Sequence, residues 1–106
     1  MKYAYADAYL ARLVTSERED RATADVAALG ALPAAWVARL IPLRVYVLTC
    51  LECQQAPDDL FGAKLPAYRR EFEATLTGAR AAQDLANAAA GTPSAGSAFT
   101  VELFRA

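Results

Sequence analysis

The sequence contains no histidine, and among its 106 residues it has only two cysteines and one tryptophan. Without histidine, neither a Ser-His-Asp nor a Cys-His catalytic mechanism is possible, and the commonest zinc ligand is missing. The 11 Lys and Arg residues are balanced by 12 Asp and Glu residues, so the formal net charge is −1. A dedicated nucleic-acid binder instead concentrates positive charge to displace counterions from phosphates. We therefore expect a protein that is not an enzyme and has no sequence-specific contact with DNA.

Long uncharged apolar runs are also missing. The most apolar stretch, residues 31–51, contains Arg39, Arg44 and two prolines. An arginine at the centre of a bilayer costs about 2.5–3.5 kcal/mol of insertion free energy, and a spanning helix needs roughly 18 predominantly apolar residues. The N-terminal residues include an early acid, Asp7, and no apolar segment typical of a secretory signal. We expect no membrane contact, with a holin-like membrane role as a minor alternative.

The two cysteines, Cys50 and Cys53, form a Cys-x-x-Cys pair. A zinc site would need two further ligands, and the chain has no other cysteine and no histidine. Residues three apart share one face of a helix, and this pair lies within an apolar helical stretch, which favours small core side chains. We expect no metal and no cofactor, while a redox role or a metal shared between subunits remain alternatives. Unpaired cysteines are typical of a reducing cytoplasm.

The hydrophobic periodicity predicts an all-α fold, a small bundle of about four helices. We expect helices over residues 3–14, 17–29 and 33–55, and a fourth from an N-cap at Asp58 or Asp59 to about residue 90. Ser16 and Glu19 have the spacing of a capping box for the second helix. The third is apolar around most of its circumference, which indicates a buried central helix kinked at Pro42. Gly62 and Pro66 leave open a short helical piece before the longer fourth helix.

The chain divides into a helical domain, residues 1–91, and a linker with an extended C-terminal tail, residues 92–106. Residues 92–97 are rich in Ser, Gly and Pro, as in a flexible linker. After them Phe99, Val101 and Leu103 alternate with polar residues, and Phe104 follows. We expect this tail to dock on the helices or on another subunit.

Two groups of charged residues invite a functional interpretation. Arg39 and Arg44 lie in the most apolar helix, where we expect them to extend to solvent or to pair with acids. The alternative is that they face the carboxylates of a partner protein. A second group, with two arginines followed by two glutamates over residues 69–73, is expected to be a solvated face with pairs three and four residues apart.

Residues 33–80 resemble the head–tail connector (adaptor) proteins of tailed bacteriophages. The resemblance rests on three segments: the apolar helix LRVYVLTCLE at residues 43–52, the acidic turn PDDLF at 57–61, and YRREF at 68–72. In that family a buried helix packs against a final helix that begins after an acidic turn.

The resemblance implies a virion assembly protein of the neck region, located in the host cytoplasm during assembly. Copies would self-associate in a ring between the portal protein and the tail or neck proteins, with DNA only as the content of the channel. The tail of each copy would reach onto a neighbour. We expect the following residues to lie at protein interfaces: Arg39, Arg44, Asp58, Asp59, Phe99, Val101, Leu103 and Phe104. The alternative is a small bacterial interaction module, such as a regulator or a toxin–antitoxin partner.

Overall fold

A computed structural model describes residues 2–55 and 59–89 of the chain. These residues form four helices and no strand, so the predicted all-α fold is confirmed. The helices are α1 (Ala8–Ala11), α2 (Ser16–Ala27), α3 (Ala34–Cys53) and α4 (Leu60–Ala89). The predicted tail lies outside the described residues, as does Asp58.

The central helix is α3, as its apolar circumference predicts. It packs against both α2 and α4, and nine of its residues, all of them between Leu40 and Cys50, are buried. The helix continues through Pro42, which removes a single intrahelical hydrogen bond. By length and mean hydropathy (1.5), α3 is long and apolar enough to cross a membrane, but half of its most apolar window is buried inside the bundle.

Two clusters of buried side chains form the core. In the first cluster, Val26 of α2 meets Leu40 and Val45 of α3 and Leu76 of α4. In the second, Leu10 of α1 packs with α3 and α4 residues that include Leu43, Val47 and Leu65. The half-buried Phe72 of α4 contacts both clusters, so it joins them across the middle of the bundle.

The first helix differs from the prediction, because α1 spans only Ala8–Ala11 instead of residues 3–14. Asp7 is its N-cap, and its side chain accepts a hydrogen bond from the Leu10 backbone N–H at 3.1 Å. The backbone N–H of Asp7, which in a helix over residues 3–14 would donate to the Tyr3 carbonyl, donates instead to the Tyr46 hydroxyl at 3.0 Å. Contacts distant in sequence thus replace the predicted helical hydrogen bonds.

The second helix begins at Ser16, close to the predicted start, but it is capped differently. The hydroxyl of Thr15 accepts from the Arg18 backbone N–H at 3.2 Å, so Thr15 is the N-cap. The expected capping box of Ser16 and Glu19 is wrong, because the Glu19 carboxylate binds the N-terminal segment. Gly30 follows the helix with a φ of 104°, a left-handed conformation that suits glycine.

The fourth helix is continuous from Leu60 to Ala89, so the alternative with a separate short piece is wrong. Asp59 caps it, as one of the two predicted candidates, and accepts from the Gly62 N–H at 2.9 Å. Pro66 lies inside the helix near its start, where it removes one hydrogen bond.

Helices α3 and α4 run antiparallel, and α4 extends past its partner. The rings of Tyr46 and Tyr68 lie 4.6 Å apart between centroids, while Trp36 near the start of α3 lies against Gly78. Residues 81–89 therefore continue beyond the start of α3, over about 13 Å at 1.5 Å per residue. Leu85, in this extension, is 73% exposed.

Candidate interaction surface

The most extensive buried polar network fixes the N-terminal segment to α3 and α4. The Asp7 carboxylate accepts from the Lys64 ammonium at 2.8 Å and from the Tyr68 hydroxyl at 2.5 Å. The Tyr46 hydroxyl accepts from the Asp7 backbone N–H at 3.0 Å. Burial alone would raise the pKa of Asp7, but the hydrogen bonds from Lys64, Tyr68 and Leu10 outweigh it and lower this pKa to about 2. Asp7 is thus ionised, and both of its carboxylate oxygens accept hydrogen bonds from other residues of the chain.

Glu19 of α2 makes a second anchor for the same segment. Its side chain is buried and accepts from the N–H groups of Lys2 (2.9 Å) and Tyr3 (3.3 Å) and from the Tyr5 hydroxyl (2.5 Å). Burial raises the pKa of Glu19, and these three donors reverse that effect, so the net pKa is lowered. Both buried carboxylates are therefore used to hold residues 2–7 in place.

The cysteines have the placement expected of packing residues. Cys50 is fully buried and Cys53 is partly buried. Burial raises the pKa of the Cys50 thiol, which disfavours the reactive thiolate. Within residues 2–55 and 59–89, no group of three or more His, Cys, Asp or Glu side chains is arranged to hold a metal ion.

Two arginines of α2 converge on one carboxylate at the end of α3. Arg18 and Arg21 lie 2.8 and 2.6 Å from the Glu52 carboxylate oxygens. These hydrogen bonds lower the pKa of Glu52. These two ion pairs link α2 to α3, and they are exposed enough to stabilise the fold only modestly.

A groove with an apolar floor runs along the junction of α2, α3 and α4. It comprises two depressions of about 240 and 320 Å³ that share Arg44 and Phe72 in their walls. The first is also lined by Val47, Arg69 and Glu73. The second is also lined by Asp25, Ala28 and Leu29. We call these residues together the Arg44 groove.

Only some of the charged side chains on the rim of the Arg44 groove form ion pairs within the described part of the chain. Arg44 pairs with Asp25 at 2.9 Å, which confirms that this arginine of α3 pairs with an acid. The expected ion pairs among residues 69–73 are wrong: in the described part of the chain, Arg69 and Glu73 belong to no salt bridge. The rim thus presents one arginine and one glutamate without an ion-pair partner there, beside half-buried Phe72.

Three of the predicted interface residues lie in the described part of the chain, and they lie apart from one another. Arg44 lines the groove, whereas the Arg39 guanidinium lies 4.5 Å from the centre of the Trp36 ring. Asp59 caps α4 near the opposite end of the bundle. The remaining predicted interface residues lie outside the described part of the chain: Asp58, Phe99, Val101, Leu103 and Phe104.

Sequence reasoning missed the groove, because its lining residues come from three helices. Arg69 was predicted to face solvent and is exposed, while its neighbour Phe72 on the same helix is half-buried. The spacing of Arg69, Phe72 and Glu73 does place all three on one side of α4, which is the one available signal. Comparisons with family models, curated proteins and solved structures found no match to this chain.

Proposed function

We propose that this chain is a structural assembly protein of tailed bacteriophage particles, a head–tail adaptor. Copies associate in a ring between the portal protein and the tail or neck proteins, around the DNA channel. The protein acts in the neck of the virion and is made in the host cytoplasm.

The observation that supports this proposal best is the extension of α4 beyond the bundle. Helix α4 has 30 residues and extends past the 20-residue α3, and Leu85 in the extension is 73% exposed. Tyr9, Leu51 and Leu60 are also between 39% and 46% exposed. A small domain whose apolar side chains are left partly uncovered gains stability by burying them against copies or partners.

The electrostatics are compatible with a channel component. The chain is nearly neutral, with a formal charge of −1. DNA passing through a ring of such chains meets little net positive charge, so the ring does not hold the DNA tightly.

Affinity capture of tagged protein during particle production tests the proposal, with mass spectrometry of the co-purifying proteins. We expect portal, capsid or tail proteins with the wild-type chain. The variant Leu85→Asp should lose them while keeping its helical circular dichroism, because a charge on the extension opposes burial there. The neighbouring change Asp84→Asn is the matched control and should retain them. Capture of a single cellular partner without virion proteins would instead favour the small bacterial interaction module.

A further inference from the structure

The Arg44 groove lacks a cover in the described part of the chain, and it has a defined chemistry. Its apolar part is formed by Leu29, Val47 and Phe72, of which Leu29 and Phe72 are only half-buried. Arg44 and Asp25 form an ion pair with each other on its rim. A segment that covers this groove should therefore bring apolar side chains, together with one acid and one base for the remaining rim charges.

Residues 90–106 have this composition. Their only charged side chains are Glu102 and Arg105, beside the apolar residues at 99, 101 and 103. On the groove rim, Arg69 and Glu73 are the two charges without a salt bridge among the described residues. The charges of the segment thus complement those of the rim one for one.

We propose that the C-terminal segment 99–105 docks in the Arg44 groove of its own molecule. Phe99, Val101 and Leu103 cover Phe72 and Leu29, and Glu102 pairs with Arg69. This docking is independent of the proposed role in phage particles.

The length of the intervening chain permits docking within one molecule. Phe72 lies 17 residues before the end of α4 at Ala89, which is about 26 Å along the helix axis. The ten residues that follow Ala89, up to Phe99, can span about 33 Å when extended. Gly91 and Gly96 in this stretch permit the reversal of chain direction that the return path requires.

Limited proteolysis of the full chain with chymotrypsin tests the proposal, with mass spectrometry to follow cleavage after Phe99, Leu103 and Phe104. We expect slow cleavage in the wild type. Arg69→Glu should accelerate it about tenfold, since cleavage follows the population of the undocked segment. Adding Glu102→Arg to that variant should restore slow cleavage, because the pair is re-formed with reversed charges.

Arg70→Glu is the matched control, because Arg70 is an exposed neighbour that does not line the groove. It should leave the cleavage rate within about twofold of the wild type. Circular dichroism should show the same helical content in all variants. Equal cleavage in the Arg69 and Arg70 variants, or no protection in the wild type, would overturn the proposal. Protection that grows between about 1 and 100 µM protein would also overturn it, since docking would then occur between copies.

Discussion

Replacing Gly78 with alanine should destabilise the bundle, although the same change stabilises most helix interiors. Alanine in place of glycine gains about 1 kcal/mol of helix propensity. At this position, however, a Cβ atom would lie 2.7 Å from Cη2 and 2.8 Å from Cζ3 of the Trp36 indole. The ring is rigid and half-buried, so Trp36 and the helix must move apart to relieve the clash. Overpacking of this kind costs about 1–3 kcal/mol, so we expect a net loss of about 1 kcal/mol.

Urea denaturation of the full chain, followed by circular dichroism, measures this effect. The expected loss corresponds to a melting temperature lower by about 4–8 °C for a domain of this size. In a Trp36→Leu background the clash is absent, so Gly78→Ala should stabilise by about 0.5–1 kcal/mol. If Gly78→Ala stabilises both backgrounds equally, the close packing of Trp36 on Gly78 is wrong.

Further predictions concern the buried polar groups and the thiols. Asp7→Asn should lower the free energy of unfolding by about 2 kcal/mol, because the Lys64 and Tyr68 donors lose an ionised acceptor. Asp20→Asn, at an exposed site, should change it by less than about 0.5 kcal/mol, and equal effects in the two variants would contradict this role of Asp7. The pKa of Asp7 is about 2 in the folded chain and about 3.9 when unfolded, so the unfolded state binds more protons as the pH falls. Stability should therefore drop by about 1–2 kcal/mol between pH 4 and pH 2, measured by urea titration at each pH, and Asp7→Asn should remove that part of the loss. Under native conditions a thiol reagent should label Cys53 faster than the buried Cys50, by about tenfold or more, and equal rates would show that Cys50 is not enclosed.

The central helix was predictable because its signal is local. Leu40, Ile41, Val45 and Leu48 repeat at helical spacing in one continuous run, and all four are buried in α3. The termination of α2 shortly before Gly30 and the capping of α4 by Asp59 also depend on residues within a few positions of the helix terminus. Such elements need no knowledge of the rest of the chain.

The N-terminal segment was not predictable for the opposite reason. Its apolar residues fit a helix over residues 3–14, but the structure holds it through Glu19 and Asp7. The contact from Asp7 to Lys64 spans 57 positions in the sequence. No local pattern distinguishes a buried, hydrogen-bonded carboxylate from one that faces solvent.

The candidate interaction surface falls between these cases. Arg44 was singled out because an arginine in an apolar helix needs a partner, and Asp25 supplies it at 2.9 Å. The groove around it depends on how α2 and α4 pack on α3, and its residues Phe72 and Leu29 lie against the core that the three helices share. The sequence therefore predicts that Arg44 needs a partner, but it does not predict the groove that Arg44 lines.

The proposed role in joining head and tail is tested most directly by deleting the coding sequence from a genome that produces particles, and imaging the products by electron microscopy. We expect heads, filled with DNA or emptied of it, that are separate from free tails. Tailed particles should be restored when the wild-type chain is supplied from a second gene. The Leu85→Asp chain should fail to restore them, and Asp84→Asn should succeed. Tailed particles in normal number without this chain would contradict the account.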